Sequence, residues 1–171
     1  GFLSASSLIK LLNEKNIAEA RDQNPLTKLP GNNTINQYIS EAIENTGDGH
    51  IFVYFDFDSF KPFNDTYGFR QGDRAILLFA DILKEISNQM KCFIGHIGGD
   101  DFYVAFKTSE ISIENIYKNV EHIIKRFKLD VQSIYSVQDR NLGYIIAKSR
   151  DGVNTRYPLL TVSAGILIIS A

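Results

Sequence analysis

The stretch FIGHIGGDDFYVAF, residues 93–106, decides the fold. Its two ends are apolar, aromatic and β-branched runs of strand length, and between them stand Gly98-Gly99 and Asp100-Asp101. Two short strands separated by a glycine-led turn predict an antiparallel hairpin. The same turn poses a chemical question, because adjacent carboxylates repel each other and raise one another's pKa unless a cation neutralises them. An isolated Gly-Gly-Asp is an ordinary polar turn; its meaning depends on what lies beside it in the sheet.

Working outward, IFVYFDF (51–57) reads as a strand buried on both faces, ending in Asp56 and Asp58 around Phe57. A short helical turn is expected through SFKPFNDTYG (59–68), then a long helix from about Asp73 with Ile76, Phe79, Leu83 and Ile86 on one face. On the other side of the hairpin, residues 112–128 predict an amphipathic helix with Ile113, Ile116, Val120, Ile123, Ile124 and Phe127 inward. GYIIAK, the turn SRDG and YPLLTVSAGILII predict a second hairpin and a long final strand. Before the first strand, Ile35, Tyr38, Ile39, Ala42 and Ile43 mark a one-faced helix ended by TGDG (46–49). Residues 4–22 form a separate helix carrying Leu8, Leu11, Leu12 and Ile17, and Pro25, Pro30 and Gly31 break the chain between the two. The fold class is therefore α/β in the α+β sense: a central, mostly antiparallel sheet flanked by helices, of the ferredoxin-like or nucleotide-cyclase palm type.

Bulk properties agree with one ordinary domain. The chain has 171 residues, 44% hydrophobic and 22% charged, with a formal net charge of −2. That balance advertises neither nucleic acid nor membrane as a partner. The single cysteine, Cys92, excludes an internal disulfide and fits a reducing compartment. No apolar run reaches the roughly 18 residues of a membrane span, so the expected location is cytoplasmic, with any membrane anchor lying elsewhere in a longer protein.

A carboxylate at the end of a buried strand is costly unless paired or cation-bound. If the hairpin lies beside that strand, Asp56, Asp100 and Asp101 converge at one sheet edge, and an all-oxygen cluster suits Mg²⁺ (or Mn²⁺) that completes its shell with water and phosphate oxygens. Gly98 and Gly99 lack Cβ atoms and so let a bulky ligand approach the backbone.

These residues carry a family resemblance. YFDFDSFKPFNDTYGFRQGD (54–73), followed by IGGDDF (97–102), resembles the GGDEF domain of diguanylate cyclases, which join two GTP molecules into cyclic di-GMP in bacterial second-messenger signalling; the signature here is the variant GGDDF. NPLTKLPGN (24–32) is similar to the family's entry segment and PLLTVSAGI (158–166) to a later strand. The resemblance implies roles. Asp56, Asp100 and the backbone carbonyl of Phe57 would hold the metal. Asn64 and Asp73 would bond the guanine edge, Lys61 the terminal phosphates, and Gly98 and Gly99 would clear space for GTP. Asp100 would help deprotonate the ribose 3′-hydroxyl, with Asp101 supporting the metal site. It divides the chain into a linker helix (1–23) and a GGDEF-type domain (24–171), and it implies a homodimer, since each domain holds one GTP and the 3′-oxygen of one attacks the α-phosphorus of the other with loss of pyrophosphate. Sensory or phosphodiesterase domains are expected in the full-length protein.

Departures from the family pattern define an alternative. Asp101 stands where the family usually has glutamate, Asn24 where it has aspartate and Phe69 where histidine is common. Gln89 to Cys92 replace a product-binding R-x-x-D, which implies no product inhibition through that site. The family's helix after the last strand has no counterpart before Ala171, so either the chain is truncated or the helix lies outside it, and residues 129–158 exceed the usual connection. The alternative is a catalytically weak or inactive GTP-binding module that regulates an attached domain such as a phosphodiesterase. His96 and His122 read as structural.

Overall fold

A computed structural model describes residues 4–44, 49–149 and 151–169. In chain order the elements are α1 (Ala5–Asp22), α2 (Asn32–Glu44), β1 (His50–Asp58), α3 (Phe60–Tyr67), α4 (Phe69–Met90), β2 (Phe93–Gly98), β3 (Asp101–Lys107), α5 (Ile113–Asp130), a 3-10 turn (Val131–Ile134), α6 (Val137–Leu142), β4 (Tyr144–Lys148), β5 (Asn154–Pro158) and β6 (Thr161–Ile169). Strands β2-β3-β1-β6 form one sheet in that order, every neighbouring pair antiparallel, and β4-β5 form a separate hairpin. Reduced to the main sheet and its crossover helices, the order is β-α-β-β-α-β, the ferredoxin-like arrangement expected above.

One face of this sheet carries the main core. Ile51, Val53, Phe55 and Phe57 of β1 and Phe102, Val104 and Phe106 of β3 pack against Ile76, Phe79 and Leu83 of α4 and Ile116, Val120, Ile123 and Phe127 of α5. Phe57 is the hub, with Phe60, Phe79, Phe102 and Phe127 rings at centroid distances of 4.6–5.9 Å. Each such ring pair adds roughly 0.5–1.5 kcal/mol beyond simple burial. On the opposite face a smaller cluster joins Ile35 and Ala42 of α2 to Phe52, Tyr103 and Ala105.

That second cluster corrects the expectation that β1 is buried on both faces. Alpha-helix α2 covers only the start of the strand, so Phe52 is buried but Tyr54 is 43% exposed and Asp56 emerges into solvent. The uncovered end of the sheet is where the acidic residues stand.

Other differences are local. Helix α4 starts at Phe69, four residues earlier than expected, because Gly68 (φ 82°) alone separates it from α3. Ser112 precedes α5 as its N-cap, accepting from the Asn115 N–H at 3.3 Å, which leaves Ile113 exposed. Ile43 of α2 is likewise exposed. The 3-10 turn and α6 were not anticipated, and the expected helix stop at 46–48 and Arg150 of the second turn lie outside the described residues. Helix α1 leaves Leu8, Leu11, Leu12 and Ile17 about half exposed. Its end meets α2, where the Asp22 carboxylate accepts from the N–H groups of Asn33 (3.1 Å) and Thr34 (2.8 Å).

Candidate active site at the open end of the sheet

The site is assembled from three pieces of chain. The ladder between β1 and β3 ends at Phe55–Phe102, while β1 stays paired with β6 as far as Asp58–Thr161. The last residues of β1 thus present an unpaired edge toward the β2–β3 turn. Strand alternation sends Phe55 and Phe57 into the core and Asp56 and Asp58 to the opposite face. The turn itself is tight: Gly98 pairs with Asp101, and Gly99 takes φ +57°, a left-handed conformation that glycine adopts without strain. Apart from each glycine and its two chain neighbours, no heavy atom of the described residues lies within 4 Å of where a Cβ would stand on Gly98 or Gly99, so this backbone is open to approach.

The turn delivers Asp100 and Asp101 to Asp56, and one carboxylate oxygen from each lies within 4.8 Å of the others. Burial raises the Asp56 carboxyl above its ordinary range, and the charges of Asp100 and Asp101 push it further. Asp100 is raised as well, first by burial and then by Asp101. Asp101 also lies beside the Tyr54 hydroxyl, which is pushed up to about 12. Asp58 stands apart, accepting from the Ser163 hydroxyl at 2.8 Å and 3.0 Å. Three carboxylates crowded this closely, with Asp56 and Asp100 raised, are a donor set fit for a hard divalent cation. The Phe57 side chain is buried, so only its backbone could join such a shell.

The second piece is the junction of α3 and α4. Gly72 in the first turn of α4 packs so closely on α3 that a Cβ there would lie 2.1 Å from Asn64 Oδ1. That amide oxygen is buried and has no hydrogen-bond partner among the described residues. An unpaired buried oxygen costs about 1–3 kcal/mol until a donor reaches it. Asp73, the next residue of α4, is exposed. Lys61 in the first turn of α3 pairs with Asp65 at 2.7 Å, not with any residue of the acidic cluster.

The third piece is the entry segment. Asn24 Oδ1 accepts from the N–H groups of Leu26 (2.9 Å) and Thr27 (3.2 Å), folding 24–29 into a turn that sets Thr27 Oγ1 2.9 Å from His96 Nδ1. His96 Nε2 in turn lies 3.0 Å from the Gly99 carbonyl, and its ring stacks on Phe102 at 4.2 Å. His96 is therefore a structural residue, as expected, but one that braces the turn carrying the carboxylates. The sequence signal was available: a polar residue in an otherwise apolar strand, separated from the two glycines by Ile97 alone.

A family model described as "Diguanylate cyclase, GGDEF domain" matches residues 21–166. The chain belongs to the GGDEF family. Among curated GGDEF relatives, the probable diguanylate cyclase DgcJ of Escherichia coli is 28% identical over 117 residues, 65% of this chain and 23% of DgcJ. The cyclic di-GMP phosphodiesterase PdeR of the same organism is 30% identical over 112 residues, 61% of this chain and 15% of PdeR. The chain thus spans a quarter or less of the length of these two relatives. The fold matches the GGDEF domain of DgcB from Caulobacter crescentus, solved in complex with c-di-GMP, at TM-score 0.62 and 23% identity over 86% of this chain and 77% of that one. A DgcB structure that includes a coiled coil matches at TM-score 0.65 and 22% identity, over 96% of this chain and 78% of that one. No helix among the described residues is long and apolar enough to cross a membrane.

Proposed function

We propose that this chain is the catalytic module of a diguanylate cyclase, joining two GTP molecules into cyclic di-GMP with release of pyrophosphate. The observation that carries the proposal is the convergence of Asp56, Asp100 and Asp101 within 4.8 Å on the uncovered end of the sheet. In this reading Asp56 and Asp100, with the Phe57 carbonyl, hold Mg²⁺ or Mn²⁺. Such a cation offsets the mutual repulsion of the carboxylates and, when bound, draws charge from phosphate oxygens.

The protein's own groups do the rest. Asn64 and Asp73 orient guanine, and the unpaired Asn64 oxygen supports this because a guanine N–H is a donor of the kind it lacks. An aspartate here favours guanine over adenine, since it can accept from the guanine N1 and N2 donors. Lys61 faces the phosphate tail. The open backbone at Gly98 and Gly99 admits the ribose and α-phosphate of the attacking pair, with Asp100 placed to take the 3′-hydroxyl proton and Asp101 supporting the site.

One domain holds one GTP, so turnover requires a homodimer. The exposed apolar residues of α1 support a linker helix (residues 1–23) that arranges two cyclase domains (24–171). The setting is cytoplasmic, with sensory or phosphodiesterase domains elsewhere in a longer protein, and neither nucleic acid nor membrane is a partner of this module. The test is incubation with GTP and Mg²⁺ followed by chromatography. Cyclic di-GMP supports the cyclase; tight GTP binding without product assigns the regulatory module instead.

A further inference from the structure

Residues 131–158 lie outside the four-stranded sheet, yet they are fastened to the helix that carries Lys61 and Asn64. The Tyr67 hydroxyl at the end of α3 donates to the Asp139 carboxylate and accepts from the Ser136 N–H at 3.1 Å. The ring of Tyr135 packs edge-on against Phe63 and Tyr67, both at 5.2 Å, and its hydroxyl accepts from the Leu160 N–H at 2.8 Å. This inserted unit is held in one position relative to α3.

Its hairpin ends beside the opposite end of the same helix. Lys148 and Ser149, at the end of β4, and Tyr157 of β5 face Ser59, Lys61, Pro62 and Asp65 across a cavity of about 650 Å³. That volume lies within the usual range of small-molecule sites. Two ammonium groups and one carboxylate line it, and the carboxylate, Asp65, is already engaged by Lys61. Lys148 makes no ion pair with any described residue. Ser59, Ser149 and Tyr157 add three hydroxyl donors. A net positive cavity with several donors recognises a ligand with many anionic oxygens. Its position selects among such ligands: Ser59 lies three residues past Asp56, roughly 10 Å along an extended chain, so a chain of phosphates that starts at the acidic cluster can end here.

We propose that Lys148, Ser149 and Tyr157 of the β4–β5 hairpin form, with Lys61, a subsite for the terminal phosphates of a nucleoside triphosphate. Lys148 is the cation the inserted hairpin supplies. The nucleotide identity of the ligand rests on the function proposed above, but the subsite can be tested without a nucleobase.

The probe is inorganic tripolyphosphate, titrated calorimetrically at fixed ionic strength into the whole chain, Lys148→Ala and Lys148→Arg. Lys148 is exposed, so both variants fold, and thermal melts verify it. Loss of one charge-assisted contact predicts roughly five- to tenfold weaker binding in Lys148→Ala, with Lys148→Arg close to the parent. GTP affinity falls in parallel and GMP affinity is unchanged. Equal tripolyphosphate affinity in Lys148→Ala and the parent, or no binding to the parent, overturns the subsite. Lys148-dependent tripolyphosphate binding by a chain that makes no product from GTP upholds the subsite and removes the cyclase reading alone.

Discussion

Thr27 and His96, 69 residues apart in the chain, meet at 2.9 Å and tie the entry segment to the turn that carries the carboxylates. The tautomer follows from the partners. The Gly99 carbonyl can only accept, so Nε2 carries the proton; Nδ1 then accepts from the Thr27 hydroxyl. Thr27→Val leaves a buried ring nitrogen unpaired and is expected to cost about 1–3 kcal/mol in urea unfolding. Turnover falls with it, because the Gly99 brace loosens; a Thr27→Ser variant restores both.

His96 also sets a pH response. Burial lowers its pKa below the ordinary 6.5, so the unfolded chain binds the proton more readily than the folded one. This contribution to stability is complete above pH 6.5 and is lost as pH falls through the folded pKa. Unfolding midpoints measured from pH 8 to 5 should decline, and His96→Asn should flatten the decline. A profile identical to the parent's contradicts the assignment.

The acidic cluster has the opposite sign. Asp56 and Asp100 are raised above 3.8, so without metal their ionisation weakens the fold as pH rises through the raised values. Mg²⁺ should therefore raise the melting temperature at pH 7, and this gain should vanish on acidification before pH 3.8 is reached. Asp56→Asn should raise the metal-free melting temperature, by roughly 2–4 °C for each kcal/mol of repulsion removed, and abolish the response to Mg²⁺.

Gly72 keeps Asn64 in place. A Cβ at 2.1 Å from Oδ1 forces the amide to rotate, and because the obstacle is the tip of a side chain, the fold survives. Gly72→Ala is expected to lower stability by about 1 kcal/mol, while weakening GTP binding roughly tenfold, the size of one hydrogen bond made by a buried group. Equal loss of GTP and tripolyphosphate binding would contradict a role confined to the base.

Asp101 is one methylene shorter than the family's usual glutamate, yet its carboxylate already lies within the 4.8 Å cluster. The Gly99–Asp100 turn brings β3 close enough for the short side chain to reach. Asp101→Glu should change GTP turnover by no more than about threefold, whereas Asp101→Asn, which removes the charge, should lower it at least tenfold. A large gain with glutamate would mean the geometry is stricter than this.

Much of this was legible in the chain because it depends on local pattern. Aromatic and β-branched runs bounded by turn residues located β1 and the β2–β3 hairpin, and the acidic residues could be grouped on the condition that the hairpin lies beside β1, which it does. What escaped depends on contacts between elements. The exposure of Tyr54 and Asp56 follows from how far α2 reaches across the sheet. The unpaired oxygen of Asn64 exists only because Gly72 arrives from another helix. Helix α6 is short, with Ser136 capping it through the Asp139 N–H at 3.1 Å, and no apolar stripe announces it. The role proposed for residues 131–158 depends on Lys148 and Lys61, from distant elements, lining one cavity.

The most direct test is to incubate the chain, Asp56→Asn and Asp100→Asn with GTP and Mg²⁺ and to quantify cyclic dinucleotide and pyrophosphate together. The account predicts two pyrophosphates per cyclic di-GMP from the parent chain and neither product from the two variants. Product at the parent's rate from Asp56→Asn, or a parent chain that binds GTP and Mg²⁺ as a dimer without forming product, would contradict it.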